Sequence, residues 1–106
     1  MAEKMQKRLK TLITNLKAYQ PEKIILFGSH ASGNAAADSD VDLLVIMSFS
    51  GSKREKMIEI GLALHDIPLP KDIIVTSPEE FEWRKEVTGT IERPAAKEGR
   101  LLYARV

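Results

Sequence analysis

Two aspartates at the start of an apolar segment are the residues of this chain best placed to do chemistry. Asp40 and Asp42 flank Val41, directly before the apolar run from Leu43 to Met47. If this segment is a β-strand, side chains two positions apart point to the same face of the sheet, about 7 Å apart along the chain. Two carboxylates held that close raise each other's pKa unless a cation lies between them, and Mg²⁺ prefers such oxygen ligands. The pair therefore predicts a divalent metal site.

Two further features fit the same chemistry. Gly28 and Ser29 follow the apolar segment Lys23 to Phe27, and Asp72 lies at the start of another, Lys71 to Thr76. A glycine lets the backbone approach phosphate oxygens, and the serine adds a hydroxyl and an N–H donor. Carboxylates on neighbouring strands can hold two Mg²⁺ ions roughly 4 Å apart, which clamp the attacking and leaving oxygens of a phosphoryl displacement. The combination predicts nucleotidyl transfer.

Each of these features also has a plainer interpretation. Asp40 and Asp42 could cap a turn, since aspartate is an ordinary turn residue. Asp72 could form a surface ion pair with the adjacent Lys71, and the glycine–serine pair could be a simple turn between a strand and a helix. Because all of them occur in one short chain, the catalytic interpretation is favoured over the structural one.

The composition limits the class of protein. The chain has 106 residues, with 16 basic and 15 acidic side chains and no cysteine. One domain spanning residues 1–106 is expected at this length, and the nearly balanced charge argues against a nucleic-acid template groove. The absence of cysteine excludes disulfides and thiolate metal sites. We find no signal peptide and no apolar run of the roughly 20 residues that span a membrane, so a soluble cytoplasmic protein is expected.

The remaining pattern predicts alternating helices and strands. An amphipathic stripe predicts the first helix, which Pro21 ends, and Ser52 and Ser77 are placed to cap later helices. The apolar segment Leu101 to Tyr103 should pack back on the core. The predicted elements are a helix over Glu3–Tyr19, a strand over Lys23–Phe27, a short helix from Ser29 to about Ala37 that gives way to a loop over Asn34–Ser39, a strand over Asp40–Met47, a helix over Lys53–His65, a strand over Lys71–Thr76, a helix from about Phe81 to Val87 and a segment around Ile91–Gly99.

The run from Phe27 to Val45 resembles the signature of the DNA polymerase β-like nucleotidyltransferases. In that signature a Gly-Ser pair is followed about ten residues later by Asp-x-Asp, and then by a third aspartate on a separate strand. The short chain, the run GSHASG…SDVDLLV and the closing EGRLLY are similar to the minimal nucleotidyltransferases, or MNT proteins, of that superfamily. The resemblance covers nearly the whole chain and implies an α/β fold with a small mixed β-sheet flanked by helices.

The resemblance also implies roles for the individual residues. Gly28 and Ser29 would bind the β- and γ-phosphates of a nucleoside triphosphate, with His30 beside them. The sequence departs from the family at His30 and Ser32, where many members carry arginine. At position 30 a histidine, which is mostly neutral at pH 7, stands where those members have a permanently charged arginine.

The three aspartates would have the catalytic and metal-binding roles. By resemblance, Asp40 and Asp42 would coordinate two Mg²⁺ ions. Asp72 would complete the coordination of the ion nearest the attacking hydroxyl group and help to deprotonate that group. ATP or another NTP would be the substrate, and pyrophosphate the leaving group.

The expected function is Mg²⁺-dependent transfer of a nucleoside monophosphate, AMP from ATP, to a hydroxyl group on a partner protein, with tyrosine as the first choice. Small members of the family resemble the antitoxin half of a pair whose other half is a helical HEPN-type protein. Two alternatives stay open: a non-catalytic antitoxin-like subunit that neutralises a helical partner, and a small-molecule transferase of the aminoglycoside type. Homo-oligomerisation is left open as well.

Overall fold

The computed structural model of the protein describes residues 1–36 and 38–106, so Ala37, the last residue of the short helix predicted from Ser29, lies outside the described residues. In chain order the elements are α1 (Glu3–Leu16), a 3₁₀ turn (Lys17–Tyr19), β1 (Lys23–Phe27), α2 (Ser29–Ser32), β2 (Val41–Ile46), α3 (Lys53–Ala63), β3 (Lys71–Thr76), α4 (Pro78–Arg84), α5 (Glu92–Glu98) and β4 (Arg100–Ala104). Across the two described ranges, no helix has the length and apolar character needed to cross a membrane.

The four strands form one mixed sheet in the order β3-β2-β1-β4. Strand β1 runs antiparallel to β2 and β4, whereas β2 and β3 are parallel. A parallel pair needs a crossover connection, which here contains α3. The inner strands β1 and β2 have the nearly continuous apolar sequences expected of strands that are covered on both faces. The predicted fold class, an α/β structure with a small mixed sheet flanked by helices, is confirmed.

Alternate residues of the strands pack against different helices, because successive side chains of a strand point to opposite faces. The larger buried cluster joins one face of the sheet to α1 and α3, and it includes Leu43 and Ile60. The smaller cluster joins the other face to α4 and α5, and it includes Leu44 and Phe81. By the same alternation, Asp42 lies on the face that carries α4 and α5.

Local capping signals set the start of two helices, as the sequence predicts. The Ser52 hydroxyl accepts a hydrogen bond from the backbone N–H of Glu55 at 3.0 Å, directly before α3. The Ser77 hydroxyl accepts one from the backbone N–H of Glu80 at 3.1 Å, and Pro78 is the first residue of α4. Both predicted N-caps are therefore confirmed.

Several predicted helix boundaries are wrong. Helix α2 ends at Ser32 because Gly33 adopts a left-handed conformation with φ 83°, which terminates the helix. The start of α4 at Pro78 agrees with the predicted cap at Ser77, whereas the end of this helix differs. Helices α1, α3 and α4 end two or three residues before the predicted positions, at Leu16, Ala63 and Arg84.

The C-terminal apolar segment forms strand β4, which the sequence pattern did not indicate. Leu102 and Tyr103 pack against the larger cluster as expected, whereas Leu101 is 58% exposed. The pairing of β4 with β1 contains a register shift between Ile24 and Ile25. A strand of this kind is defined by the free edge of β1, so a local pattern is insufficient to predict it.

A buried carboxylate joins β3, α4 and α5 at the end of the sheet remote from Asp72. Glu92 is 3% exposed, and its Oε2 atom accepts hydrogen bonds from Thr76 Oγ1 at 2.9 Å and from Arg84 Nε at 3.0 Å. Burial alone would raise the pKa of Glu92, but the hydrogen bonds from Thr76, its own backbone and Arg84, with the charge of Arg84, hold this pKa below its usual value. The ionised carboxylate therefore stabilises the fold.

Replacing Glu92 with alanine should lower the free energy of unfolding by about 2 to 3 kcal/mol at pH 7, because two hydrogen bonds to a charged group are lost. Glu92→Gln is the matched control, since its amide oxygen can still accept from Thr76. Folding lowers the pKa of Glu92, so its contribution is present above the unfolded-state pKa and is lost as pH falls through the folded-state pKa. Urea unfolding followed by circular dichroism measures this. A difference between wild type and Glu92→Gln that stays constant down to about pH 2.5 would contradict the assignment.

Candidate active site

Asp42 and Asp72 lie side by side on two adjacent strands. Asp42 is the second residue of β2, Asp72 is the second residue of β3, and the two are partners in the register of this parallel pair. Side chains of register partners in parallel strands point to the same face of the sheet. Asp40 precedes the first residue of β2 by one position. The fold therefore brings Asp42 and Asp72 together at one end of the sheet, and Asp40 lies two positions before Asp42 in the chain.

The environment of Asp42 shows how closely these groups interact. Burial is the largest cause that raises the pKa of Asp42, followed by the negative charge of Asp72 and then that of Asp40, while His30 acts in the opposite direction. Asp42 is half-buried, whereas Asp40 and Asp72 are exposed. The ionised form of Asp42 is thus held in a site that favours protonation, which is the setting in which a nearby cation has the largest effect.

Gly28 occupies the position opposite this carboxylate. It follows Phe27, the register partner of Asp42 in the antiparallel pair of β1 and β2. Its φ of 76° lies in the left-handed region, and a Cβ atom added there would overlap Asp42 Oδ2. Glycine is therefore needed at this position for two reasons: the turn requires a positive φ, and any side chain would overlap the Asp42 carboxylate. The sequence indicated the turn, but it carried no signal for this contact, which joins the turn after β1 to a residue of β2.

Ser29 and His30 form the first part of α2. The carbonyl oxygen of Gly28 accepts hydrogen bonds from the backbone N–H groups of Ala31 at 3.1 Å and Ser32 at 3.2 Å. Ser29 is half-buried at the first position of this four-residue helix, where backbone N–H groups have no partner within the helix. The predicted phosphate-binding pair thus lies at the end of β1, with Gly28 directly beside Asp42.

His30 contacts the loop that precedes Asp40. Its Nε2 atom is 2.9 Å from the carbonyl oxygen of Ser39, so Nε2–H donates this hydrogen bond. A neutral ring then has no N–H left for a phosphate, because Nδ1 donates only when the ring is protonated. The structure thus gives His30 a role in positioning this loop, which the sequence did not predict. Phosphate binding by His30 stays a prediction.

The carboxylates fit a divalent ion by the chemistry of their donor atoms. All three supply hard oxygen ligands, and the pKa of Asp42 responds to both of the others. In the part of the chain that the structure describes, no three His, Cys, Asp or Glu side chains are grouped closely enough to hold one ion as they stand. Asp40 and Asp72 are exposed, so their side chains have room to change rotamer toward Asp42.

Known sequences show which family the chain belongs to. The chain matches the family described as "Polymerase beta, Nucleotidyltransferase" over residues 10–105. A protein of Methanocaldococcus jannaschii that is named "Putative protein adenylyltransferase" is 30% identical over 101 residues, which cover 92% of this chain and 97% of that protein.

Two solved structures share the fold. A "putative nucleotidyltransferase" from Sulfolobus solfataricus matches with a TM-score of 0.69 and 21% identity, over 96% of this chain and 82% of that one. A toxin–antitoxin with AMP-PNP matches with a TM-score of 0.54 and 19% identity, over 93% and 73%. At these identities the two structures support the fold alone. The sequence match over residues 10–105 and the relative that is 30% identical show that the chain belongs to the polymerase beta nucleotidyltransferase family and is a nucleotidyltransferase.

Proposed function

We propose that this chain transfers AMP from ATP to a hydroxyl group of a partner protein in a Mg²⁺-dependent reaction. The observation that carries the proposal is the pairing of Asp42 with Asp72 on adjacent strands, directly beside Gly28. The name of the Methanocaldococcus jannaschii relative, a protein adenylyltransferase, supports AMP as the transferred group and a protein as the acceptor.

The order of these residues across the sheet supports one orientation of the nucleotide and the acceptor in the site. Gly28 follows β1, Asp42 lies on β2 and Asp72 lies on β3, which are consecutive strands. The β- and γ-phosphates would bind at Gly28 and Ser29, the α-phosphate near Asp42, and the acceptor hydroxyl near Asp72. The nucleotide and the acceptor would thus approach the reacting phosphorus from opposite sides, as an in-line displacement requires.

In the proposed reaction the acceptor oxygen forms a bond to the α-phosphorus, and the bond from this phosphorus to the bridging oxygen breaks to release pyrophosphate. Asp72 accepts the proton of the attacking hydroxyl and passes it to solvent. Asp40, Asp42 and Asp72 would hold the two Mg²⁺ ions, which when bound neutralise charge on the phosphate oxygens. The backbone at Gly28 and Ser29 would orient the triphosphate.

We further propose that the chain is the antitoxin-like half of a pair with a helical HEPN-type protein. The structural match to a toxin–antitoxin with AMP-PNP supports this assignment. The proposal treats residues 1–106 as one domain that acts in the cytoplasm. The partner, which carries the acceptor, would then be needed for a complete reaction.

Asp42→Asn should reduce AMP transfer by a factor on the order of 10² to 10³, because loss of a metal ligand removes several kcal/mol of transition-state stabilisation. The purified chain, with the proteins that co-purify with it, is incubated with Mg²⁺ and ATP labelled at the α- or γ-phosphate. Label should enter protein from the α-position only, since phosphoryl transfer would instead use the γ-position.

The variant should remain folded. Folding raises the pKa of Asp42, so its ionised form opposes folding at pH 7, and in EDTA the variant's Tm should not be lower than that of wild type.

The outcomes of this experiment separate the alternatives. Undiminished α-label transfer by the variant would show that the proposed carboxylate site is wrong. If neither the wild type nor the variant transfers label and the variant still neutralises the partner, the chain acts as a non-catalytic binding subunit.

Gly28→Ala should lose most of the transfer activity, by about 100-fold, because the added methyl group displaces the Asp42 carboxylate by an amount that a positioned catalytic group does not tolerate. Gly33→Ala is the matched control. Gly33 also has a positive φ, 83°, but nothing lies within 4 Å of an added Cβ, so this variant introduces backbone strain without the overlap. Gly33→Ala should lose about 1 to 2 kcal/mol of stability from strain. Gly28→Ala should lose more, because its ψ of -155° places it in a region that is essentially confined to glycine. Equal activities in the two variants, measured by α-label transfer, would contradict the role of the contact with Asp42.

A further inference from the structure

A small pocket of about 250 Å³ lies beside Gly28, between the end of β1, helix α2 and helix α5. Most of its lining is apolar, and Glu98 is the one charged side chain among the described lining residues. The pocket is lined by Phe27, Gly28, Ala31, Ser32, Pro94 and Glu98. Whole small-molecule ligands usually occupy sites of roughly 300 to 1,000 Å³, so a pocket of this size fits one part of a larger ligand.

The pocket lies on the same face of the sheet as the carboxylates of the candidate active site. Phe27 packs against the smaller cluster, on the face that carries α4 and α5. Asp42 is the register partner of Phe27, and Asp72 is the register partner of Asp42, so all three side chains point to this face. Gly28 joins the two places, because it lines the pocket and directly faces Asp42 Oδ2. A group bound in the pocket would therefore lie next to Asp42.

The close packing of α5 on β1 holds Glu98 beside this site. Glu98 is the last residue of α5, and Gly99 follows it. A Cβ atom added at Gly99 would overlap the carbonyl oxygen of Ala95 and the side chain of Ile25, so glycine is needed for the end of the helix to approach the strand. The Gly99 N–H donates to the Ala95 carbonyl oxygen at 3.1 Å. The backbone next to Glu98 is thus fixed, and its exposed carboxylate can accept hydrogen bonds from a ligand.

We propose that this pocket binds the ribose of the nucleoside triphosphate, and that Glu98 accepts a hydrogen bond from the ribose 2′-hydroxyl group. The chain would then select ribonucleotides over deoxyribonucleotides. The proposal rests on the proposed function, in which the β- and γ-phosphates bind at Gly28 and Ser29 and the α-phosphate lies near Asp42. It adds the part of the nucleoside that the site recognises and the residue that recognises it.

The position of the pocket relative to the reacting phosphorus favours the ribose. In an in-line displacement the attacking and leaving oxygens lie on one axis, which here would run across the sheet from Asp72 toward Gly28 and Ser29. The ribose is bonded to the same phosphorus through a third oxygen, so it must leave this axis to one side. The pocket offers room beside the axis, because α5 borders it on the face to which Asp42 points. The ribose is also the part of the nucleoside nearest the phosphorus.

The charge of Glu98 selects among the parts of the nucleotide. A carboxylate repels the phosphates, whereas a ribose hydroxyl group can donate to it, and a hydrogen bond to a charged group is stronger than one between neutral groups. In dinucleotide-binding folds an acidic side chain binds the ribose 2′-hydroxyl group in the same way. With a deoxynucleotide, Glu98 would lose this donor and still face the negative triphosphate. The carboxylate therefore acts against the wrong nucleotide as well as for the right one.

The test is a titration of the ¹⁵N-labelled chain with Mg²⁺-ATP and with Mg²⁺-2′-deoxyATP, followed by amide chemical shifts. Wild type should bind ATP about 10- to 100-fold more tightly than 2′-deoxyATP, as expected for one hydrogen bond to a charged group. Glu98→Ala should weaken the binding of ATP until it equals that of 2′-deoxyATP. The variant should bind 2′-deoxyATP at least as tightly as wild type does, because the carboxylate that it removes has no donor in that ligand.

Glu86→Ala is the matched control. Glu86 is also an exposed glutamate, and it is not among the residues that line the pocket. Its removal changes the net charge by the same amount as Glu98→Ala, so the preference for ATP over 2′-deoxyATP should stay. Mg²⁺-GTP is titrated as a comparison. Since GTP has the same ribose as ATP, Glu98→Ala should leave the ratio of ATP to GTP binding unchanged.

Equal binding of ATP and 2′-deoxyATP by wild type would overturn the proposal, as would a preference that survives in Glu98→Ala or disappears in Glu86→Ala. A changed ratio of ATP to GTP binding in Glu98→Ala, with the ribose preference intact, would mean that the base occupies the pocket instead. The same titrations separate this proposal from the proposed function. If ATP shifts the amides of Gly28 and Ser29 without discrimination against 2′-deoxyATP, the ribose pocket alone is wrong. If no nucleotide shifts these amides, the nucleotide site is wrong and the ribose pocket with it.

Discussion

The close approach of the Asp42 carboxylate to the backbone at Gly28 is the constraint on which the site depends. The carboxylate is half-buried beside two others, and both effects raise its pKa, so its ionised form is unfavourable in the isolated fold. The remainder of β2 is almost completely buried, and both neighbouring strands fix its register. The packing of β2 therefore holds a charged group in an unfavourable position, which is the expected arrangement where a binding site must be ready before its ligand arrives.

The two faces of the sheet are covered to different extents by helices. Helices α1 and α3 cover one face and form the larger buried cluster, which supplies most of the apolar burial. The other face carries only the short helices α4 and α5, which Glu92 joins to β3 at Thr76. Thr76 is the last residue of β3 and Asp72 the second, so this connection lies at the far end of the strand. The short helices can thus complete the core while the carboxylate end of the same face stays accessible.

The sequence predicts the features that local chemistry determines. The apolar runs define β1, β2 and β3, and the serines before α3 and α4 define where these helices begin. The aspartate spacing and the glycine–serine pair are local as well, and they indicate the site from residue types alone. Features that depend on distant parts of the chain are missed. Strand β4 exists because β1 offers a free edge, and the hydrogen bond from His30 to Ser39 joins residues nine positions apart in the chain.

The outer surface of α3 shows the same limit. Gly28, Ser29, Asp40 and Asp42 are close in the sequence, so a motif describes them. The exposed apolar residues of α3, in contrast, look like ordinary core positions when read along the chain. Ile58 and Ile60 differ only in which side of α3 they occupy, yet one is 51% exposed and the other is buried. A motif can therefore identify the family, whereas an exposed apolar surface is recognised only once the chain is folded.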